Sequence, residues 1–70
     1  MNLKSGDMVY FEDSLATAVL LYKRDDLWVY SLRSPPRYDL THFVVSVQFD
    51  KETDFVKAIK SGRFQHYEAR

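Results

Sequence analysis

Two histidines are the side chains of this 70-residue chain best suited to acid–base chemistry. His42 and His66 flank a predicted helix, and an imidazole pair close in space can transfer protons near neutral pH. With Arg63 or Arg70 holding phosphate, such a pair would suit RNA cleavage. However, the ten Lys and Arg residues are balanced by ten Asp and Glu residues, so the chain lacks the positive charge that attracts a large polyanion. We therefore predict that the protein is not an enzyme.

The same histidines are poor candidates for a metal site. Only Asp39 or Glu68 would complete the ligand set, the spacing of known metal motifs is missing, and the sequence contains no cysteine. A glycine-rich phosphate loop is also missing, because Gly6 and Gly62 are the only glycines. We predict neither a metal nor another cofactor.

Protein contact is the function that the aromatic residues favour. Trp28, Val29 and Tyr30 place large side chains on both faces of one predicted strand, and a fold of this length has few elements with which to cover two faces. Aromatic rings are enriched at contact surfaces. We predict a small regulatory or accessory protein that acts through protein contact, with self-association as one form of it. Trp28 or Tyr30 is then expected to be partly exposed in the monomer or buried only across a subunit interface. The predicted contact residues are Trp28, Tyr30, Arg33, Pro35, Pro36, Arg37 and Tyr38.

The loop that follows this strand contains a short recognition pattern. Pro35-Pro36-Arg37-Tyr38 matches the P-P-x-Y pattern that WW-type domains bind. Paired prolines also impose an extended path without amide donors, so a rigid surface loop explains the same residues. Both interpretations stay open.

Binding of single-stranded nucleic acid is the alternative function. It would use Tyr10 and Tyr22 as stacking platforms and Lys23 and Arg24 as phosphate contacts. Glu12, Asp13, Asp25 and Asp26 lie in the same half of the chain and leave no basic excess there, and this disfavours the alternative.

Composition and length predict one small folded domain over residues 1–70. The hydrophobic fraction of 46% and the aromatic fraction of 16% are too high for a disordered chain. The amino terminus lacks the apolar core of a secretory signal, and the longest apolar run, from Ala18 to Tyr22, is far too short for a bilayer span. These features predict a cytoplasmic protein without membrane contact.

The carboxyl-terminal part predicts strand, helix and strand. From His42 to Asp50 the residues alternate, which predicts a strand that buries Phe43, Val45, Val47 and Phe49. A helix from about Lys51 to Ser61 would start at an Asp50 cap, stop at Gly62 and bury Phe55, Ala58 and Ile59. Phe64 to Ala69 is predicted as the last strand.

A first strand is predicted at Met8–Phe11.

Residues 15–24 fit two secondary structures. The spacing of apolar residues matches one face of a helix at Leu15, Ala18, Val19 and Tyr22. The segment from Thr17 to Lys23 also fits one strand of a hairpin. We favour the hairpin because no Gly or Asn ends a helix near Arg24. The hairpin gives the order β-β-β-β-α-β and an α+β fold with a small curled antiparallel sheet or an SH3-like, partly open barrel. The helix gives the ferredoxin-like order β-α-β-β-α-β.

Overall fold

The computed structural model describes residues 2–35 and 43–70, which form one antiparallel sheet and one helix. In chain order the elements are β1 (Met8–Phe11), β2 (Ala16–Arg24), β3 (Leu27–Ser34), β4 (Val44–Lys51), α1 (Glu52–Lys60) and β5 (Phe64–Tyr67). The strand order across the sheet is β4-β3-β2-β1-β5, so β4 and β5 are the two edges and the sheet does not close into a barrel. The predicted α+β fold with the order β-β-β-β-α-β is confirmed.

Residues 16–24 form a strand because their buried positions repeat every second residue. Ala16, Ala18 and Leu20 are all buried on one face of β2, as the two-residue period of a strand requires. The Asp25-Asp26 turn then joins β2 to β3, with Asp25 at a φ of 57°, a conformation that Asp tolerates better than most residues. The ferredoxin-like alternative, which needs a helix here, is therefore wrong.

The helix ends as predicted but begins differently. Gly62 has a φ of 83°, and the amides of Gly62 and Arg63 donate to the carbonyls of Ile59 and Ala58, which is the Schellman arrangement. At the other end the N-cap is Lys51, without a side-chain cap bond, so the predicted Asp50 cap is wrong. This helix of nine residues is too short to cross a membrane, and it is the one helix in the part of the chain described.

The core lies between α1 and one face of the sheet. Phe55 of α1 is buried at its centre, with the ring of Tyr30 at a centroid distance of 5.2 Å. The ring of Phe11 packs between Phe55 and Phe64, 4.3 Å from the latter. The remaining buried core side chains are Leu3, Val9, Ala16, Ala18, Leu20, Trp28 and Ala58.

The orientation predicted for β4 is wrong. Phe43, Val45, Val47 and Phe49 are all at least half exposed, on the face of the sheet away from α1. Residues directly opposite each other in an antiparallel pair share a face, and β4 places Asp50 opposite Trp28 and Gln48 opposite Tyr30. Because Trp28 and Tyr30 are buried under α1, the polar set of β4 faces the helix side and the apolar set faces outward.

Replacing Phe55 by Ala should destabilise the protein by about 3–5 kcal/mol, because the cavity lies at the centre of a core with little else to fill it. A domain of this size has a small total stability. Urea unfolding followed by circular dichroism should therefore show a large drop in the midpoint. Val44→Ala, at an exposed position, should cost less than about 1 kcal/mol. Equal losses in the two variants would contradict this core.

Candidate protein-contact surface

The sheet face away from α1 is exposed and apolar, and we call it the open face. Its register positions cross all five strands. Its exposed large apolar side chains are Met8 of β1, Val19 and Tyr22 of β2, Val45, Val47 and Phe49 of β4, Tyr67 of β5, and Phe43, which precedes β4. β4 contributes the most exposed of them, with Val47 at 67% and Phe49 at 66%.

Cross-strand pairing places these side chains in rows. One row runs through Tyr67, Met8, Val19, Ser31 and Val47, from one edge of the sheet to the other. Directly opposite residues of neighbouring strands lie within side-chain contact distance, so the row is a continuous apolar strip broken only by a serine hydroxyl. A second, shorter row joins Tyr22 to Val29 and Phe49.

A shallow groove lies on the open face. It has a volume of about 420 Å³ and is lined by Met8, Thr17, Val19, Ser31, Arg33 and Val45. At its end the Arg33 guanidinium lies 4.3 Å from the centre of the Phe43 ring, a cation–π contact that holds both side chains over the sheet. Tyr67 is opposite Met8 at one side of the groove, whereas Tyr22 and Phe49 share a row nearer the Asp25-Asp26 turn.

The two rings on which the contact prediction rested most are not on this surface. Trp28 is 4% exposed and Tyr30 is 5% exposed, both on the helix side, so the prediction that one of them is partly exposed is wrong. Trp28 and Tyr30 are buried because each has an apolar ring against α1 and a polar atom that finds a partner. The Trp28 indole donates to Glu52 at 2.8 Å, and the Tyr30 hydroxyl donates to Asp50.

These polar partners fix the start of the helix on the hairpin. Glu52 accepts from the Trp28 indole and pairs with the Lys23 ammonium at 3.0 Å, while its own amide donates to the Asp26 carbonyl. The bond from Lys23, followed by that from Trp28, lowers the pKa of the Glu52 carboxyl against the opposing effect of burial. Burial, together with the Asp50 carboxylate, raises the pKa of the Tyr30 hydroxyl. These groups hold the helix on the sheet.

The other predicted contact residues divide between two places. Arg33 is exposed and lies on the open face, and Pro35 is half-buried just after β3. Pro36, Arg37, Tyr38 and His42 lie outside the described residues.

The four residues of the nucleic-acid alternative do not share one face. Tyr10, Tyr22 and Arg24 occupy register positions of the open face. Lys23 is opposite Trp28 on the helix side, where it is paired with Glu52.

Among the described residues the most deeply buried charged group is Asp7, which was not predicted as a functional or structural site from the sequence. Asp7 is completely buried and accepts hydrogen bonds from the Ala69 amide at 2.8 Å, the His66 ring at 2.8 Å and the Lys4 amide at 3.1 Å. Its backbone carbonyl accepts from the Leu20 amide. One side chain thus ties the segment before β1 to the segment after β5, and His66 has a structural partner.

The neighbouring Gly6 is required by this junction. Its φ is 91°, and a Cβ at this position would lie 3.2 Å from the Cβ of Ala69. Only glycine combines that conformation with so close an approach.

The fold and the surface together define a small α+β protein with one covered and one open sheet face. No protein-family model, curated protein or solved structure matches the chain.

Acid should destabilise the protein through Asp7. Burial raises the pKa of this carboxyl, but the bonds from Ala69, His66 and Lys4 outweigh it and hold the pKa below its ordinary value. A carboxyl whose pKa is lowered by folding stabilises the fold fully above its unfolded pKa of about 3.9, and this stability is lost as the pH falls through the folded value.

Asp7→Asn should lose about 2–4 kcal/mol at pH 7, because an amide cannot accept all three bonds, and should have a flatter dependence on pH below about 4. Urea midpoints from pH 3 to 7 measure both effects. Asp26→Asn, at an exposed position, is the matched control and should follow the wild type. A variant at Asp7 with the wild-type pH profile would show that the carboxylate does not have this role.

Proposed function

We propose that this chain is a small non-enzymatic regulatory or accessory protein that acts through protein–protein contact, and that the open face is its contact surface. The observation that carries the proposal is a row of side chains across the five strands of the open face, exposed and apolar on four of them and a serine on β3. An apolar face of a sheet is normally covered by at least one layer of other secondary structure. In the described part of the chain the only helix lies on the opposite face.

The size of the apolar patch supports a contact role. At about 150–250 Å² for a whole aromatic side chain, the four rings of Tyr22, Phe43, Phe49 and Tyr67, each about half exposed, present on the order of 400 Å². The aliphatic side chains bring the open face to roughly 700–800 Å², above the 300–600 Å² that is usual for the largest patch of a monomeric protein. Leaving such a patch in water is unfavourable, and a partner would remove the cost.

The most strongly held titratable groups of the described residues have partners within the fold. Asp7 is held by three donors, Tyr30 by Asp50, and Glu52 by Lys23 and Trp28. Each of these groups is used to join elements of the fold. None of the buried side-chain polar atoms in residues 2–35 and 43–70 lacks a hydrogen-bond partner.

Site-specific photo-crosslinking in the native cell tests the proposal. A photoreactive amino acid at Val47 should give defined protein adducts, since this side chain is the most exposed apolar group on the open face. The same amino acid at Thr53, exposed on α1, is the matched control and should give none. Adding Met8→Lys to the Val47 probe should remove the adducts.

Two outcomes would contradict a contact at the open face. One is that neither position gives an adduct, and the other is that Val47 and Thr53 give the same set.

Binding of single-stranded nucleic acid is the second candidate, because Tyr10, Tyr22 and Arg24 share the open face with Arg33 and could stack and pair with a strand. The net charge of zero disfavours it. We expect no change in fluorescence anisotropy when labelled single-stranded oligonucleotides are titrated at low salt. Binding that weakens as salt rises, and that is lost in Tyr22→Ala and Arg24→Ala, would instead favour this candidate.

A further inference from the structure

We infer that the open face binds a second copy of the same chain. The two open faces stack on each other, related by a two-fold axis that lies between the sheets at right angles to the strands. Each strand then lies over the same strand of the other copy and runs in the opposite direction. This inference rests on the proposed function, because it names the partner of the same surface. A two-fold contact uses one patch on both copies, so the patch has to complement itself in area, in shape and in charge.

The area of the open face equals one side of a standard protein interface. Stable complexes bury about 800 Å² on each partner, and the apolar part of the open face alone comes to roughly 700–800 Å². Thr17, Ser31 and Arg33 lie among these side chains and would add a polar contribution. Sheets that stack face to face lie about 10 Å apart, which leaves room for two such layers of side chains.

The shape of the open face fits its own reversed copy. The groove centres on the end of β2 that carries Thr17 and Val19, whereas the exposed ring of Tyr22 lies towards the other end of β2. Reversal of the strand direction brings the Tyr22 ring of each copy over the groove of the other. The same operation brings Phe49 over the Val45 region of the partner strand. Large side chains therefore meet small ones.

Two sets of opposite charges at the ends of the open face come together on reversal, although Lys51 places a further positive charge at the turn end. Asp25 and Asp26 lie at the turn before β3, and Arg33 lies near the opposite end of β3. In the reversed stack the acidic turn of one copy meets the Arg33 of the other. Arg24 at the turn end likewise meets Glu12 beyond the end of β1. The net charge of zero means that no long-range repulsion opposes association of two copies.

Sedimentation velocity over a concentration series tests the inference. The wild type should sediment as a dimer, and Met8→Lys or Val47→Lys should raise the dimer dissociation constant at least about a hundredfold by placing unpaired charges within the stack. Thr53→Lys, on exposed α1, is the matched control and should leave it unchanged. Circular dichroism checks that every variant is folded. A monomeric wild type at all concentrations would overturn the inference.

A pair of charge exchanges tests the orientation. Arg33→Glu should weaken the dimer, Asp26→Lys should weaken it as well, and the double variant should recover much of the loss because the pair is restored with opposite signs. Equal and additive losses in the double variant would overturn the reversed arrangement.

The two substitutions on the open face also separate stacking from pairing at the sheet edge. Val47 lies on edge strand β4, whereas Met8 lies on β1, which is paired on both sides. A dimer lost in Val47→Lys but kept in Met8→Lys would mean that β4 edges pair, and would overturn stacking.

Photo-crosslinking at Val47 distinguishes failure of this inference from failure of the proposed function. Adducts of twice the chain mass support both. If all adducts contain other proteins, the inference that the partner is a second copy is wrong, but the proposal that the open face is a contact surface stands.

Discussion

One helix can cover only one face of a five-stranded sheet, and this limit determines the rest of the structure. Phe55 of α1 packs against the aromatic and aliphatic side chains of one sheet face, and together they form the core. The strands still alternate, so every second residue must lie on the other face. In β1, β2 and β4 many of those residues are apolar as well. The open face therefore follows from the sequence pattern and the number of helices together.

The buried polar contacts decide which face the helix covers. Tyr30 with Asp50, and Trp28 with Glu52, pair groups on the sheet with groups at the end of β4 and the start of α1. If β4 were turned over, Asp50 would leave the Tyr30 hydroxyl without its acceptor in a buried site, at a cost of about 1–3 kcal/mol. The exposed apolar side of β4 is thus fixed in part by a hydroxyl and an indole N–H on β3.

Much of the fold could be predicted from the sequence because its signals are local. Met8–Phe11, the hairpin and the Gly62 helix end are each specified within a few residues. The orientation of β4 could not be predicted from the sequence. The alternation from Phe43 to Phe49 shows that the strand has an apolar and a polar face, but it does not show which face the helix covers. Trp28 and Tyr30 were misplaced for the same reason. Met8, Val19 and Tyr67 were missed because they become one row only through pairing between distant strands.

The pairing of β1 with β5 has a consequence for synthesis on the ribosome. Asp7 and His66, which meet at this junction, are 59 positions apart. β1 thus gains its second neighbour only when β5 has left the exit tunnel. Until then β1 is an edge with free backbone groups, and the Asp7 carboxylate has no imidazole to bind. The sheet is therefore completed only after β5 is available, and β1 exposes a pairing edge until then.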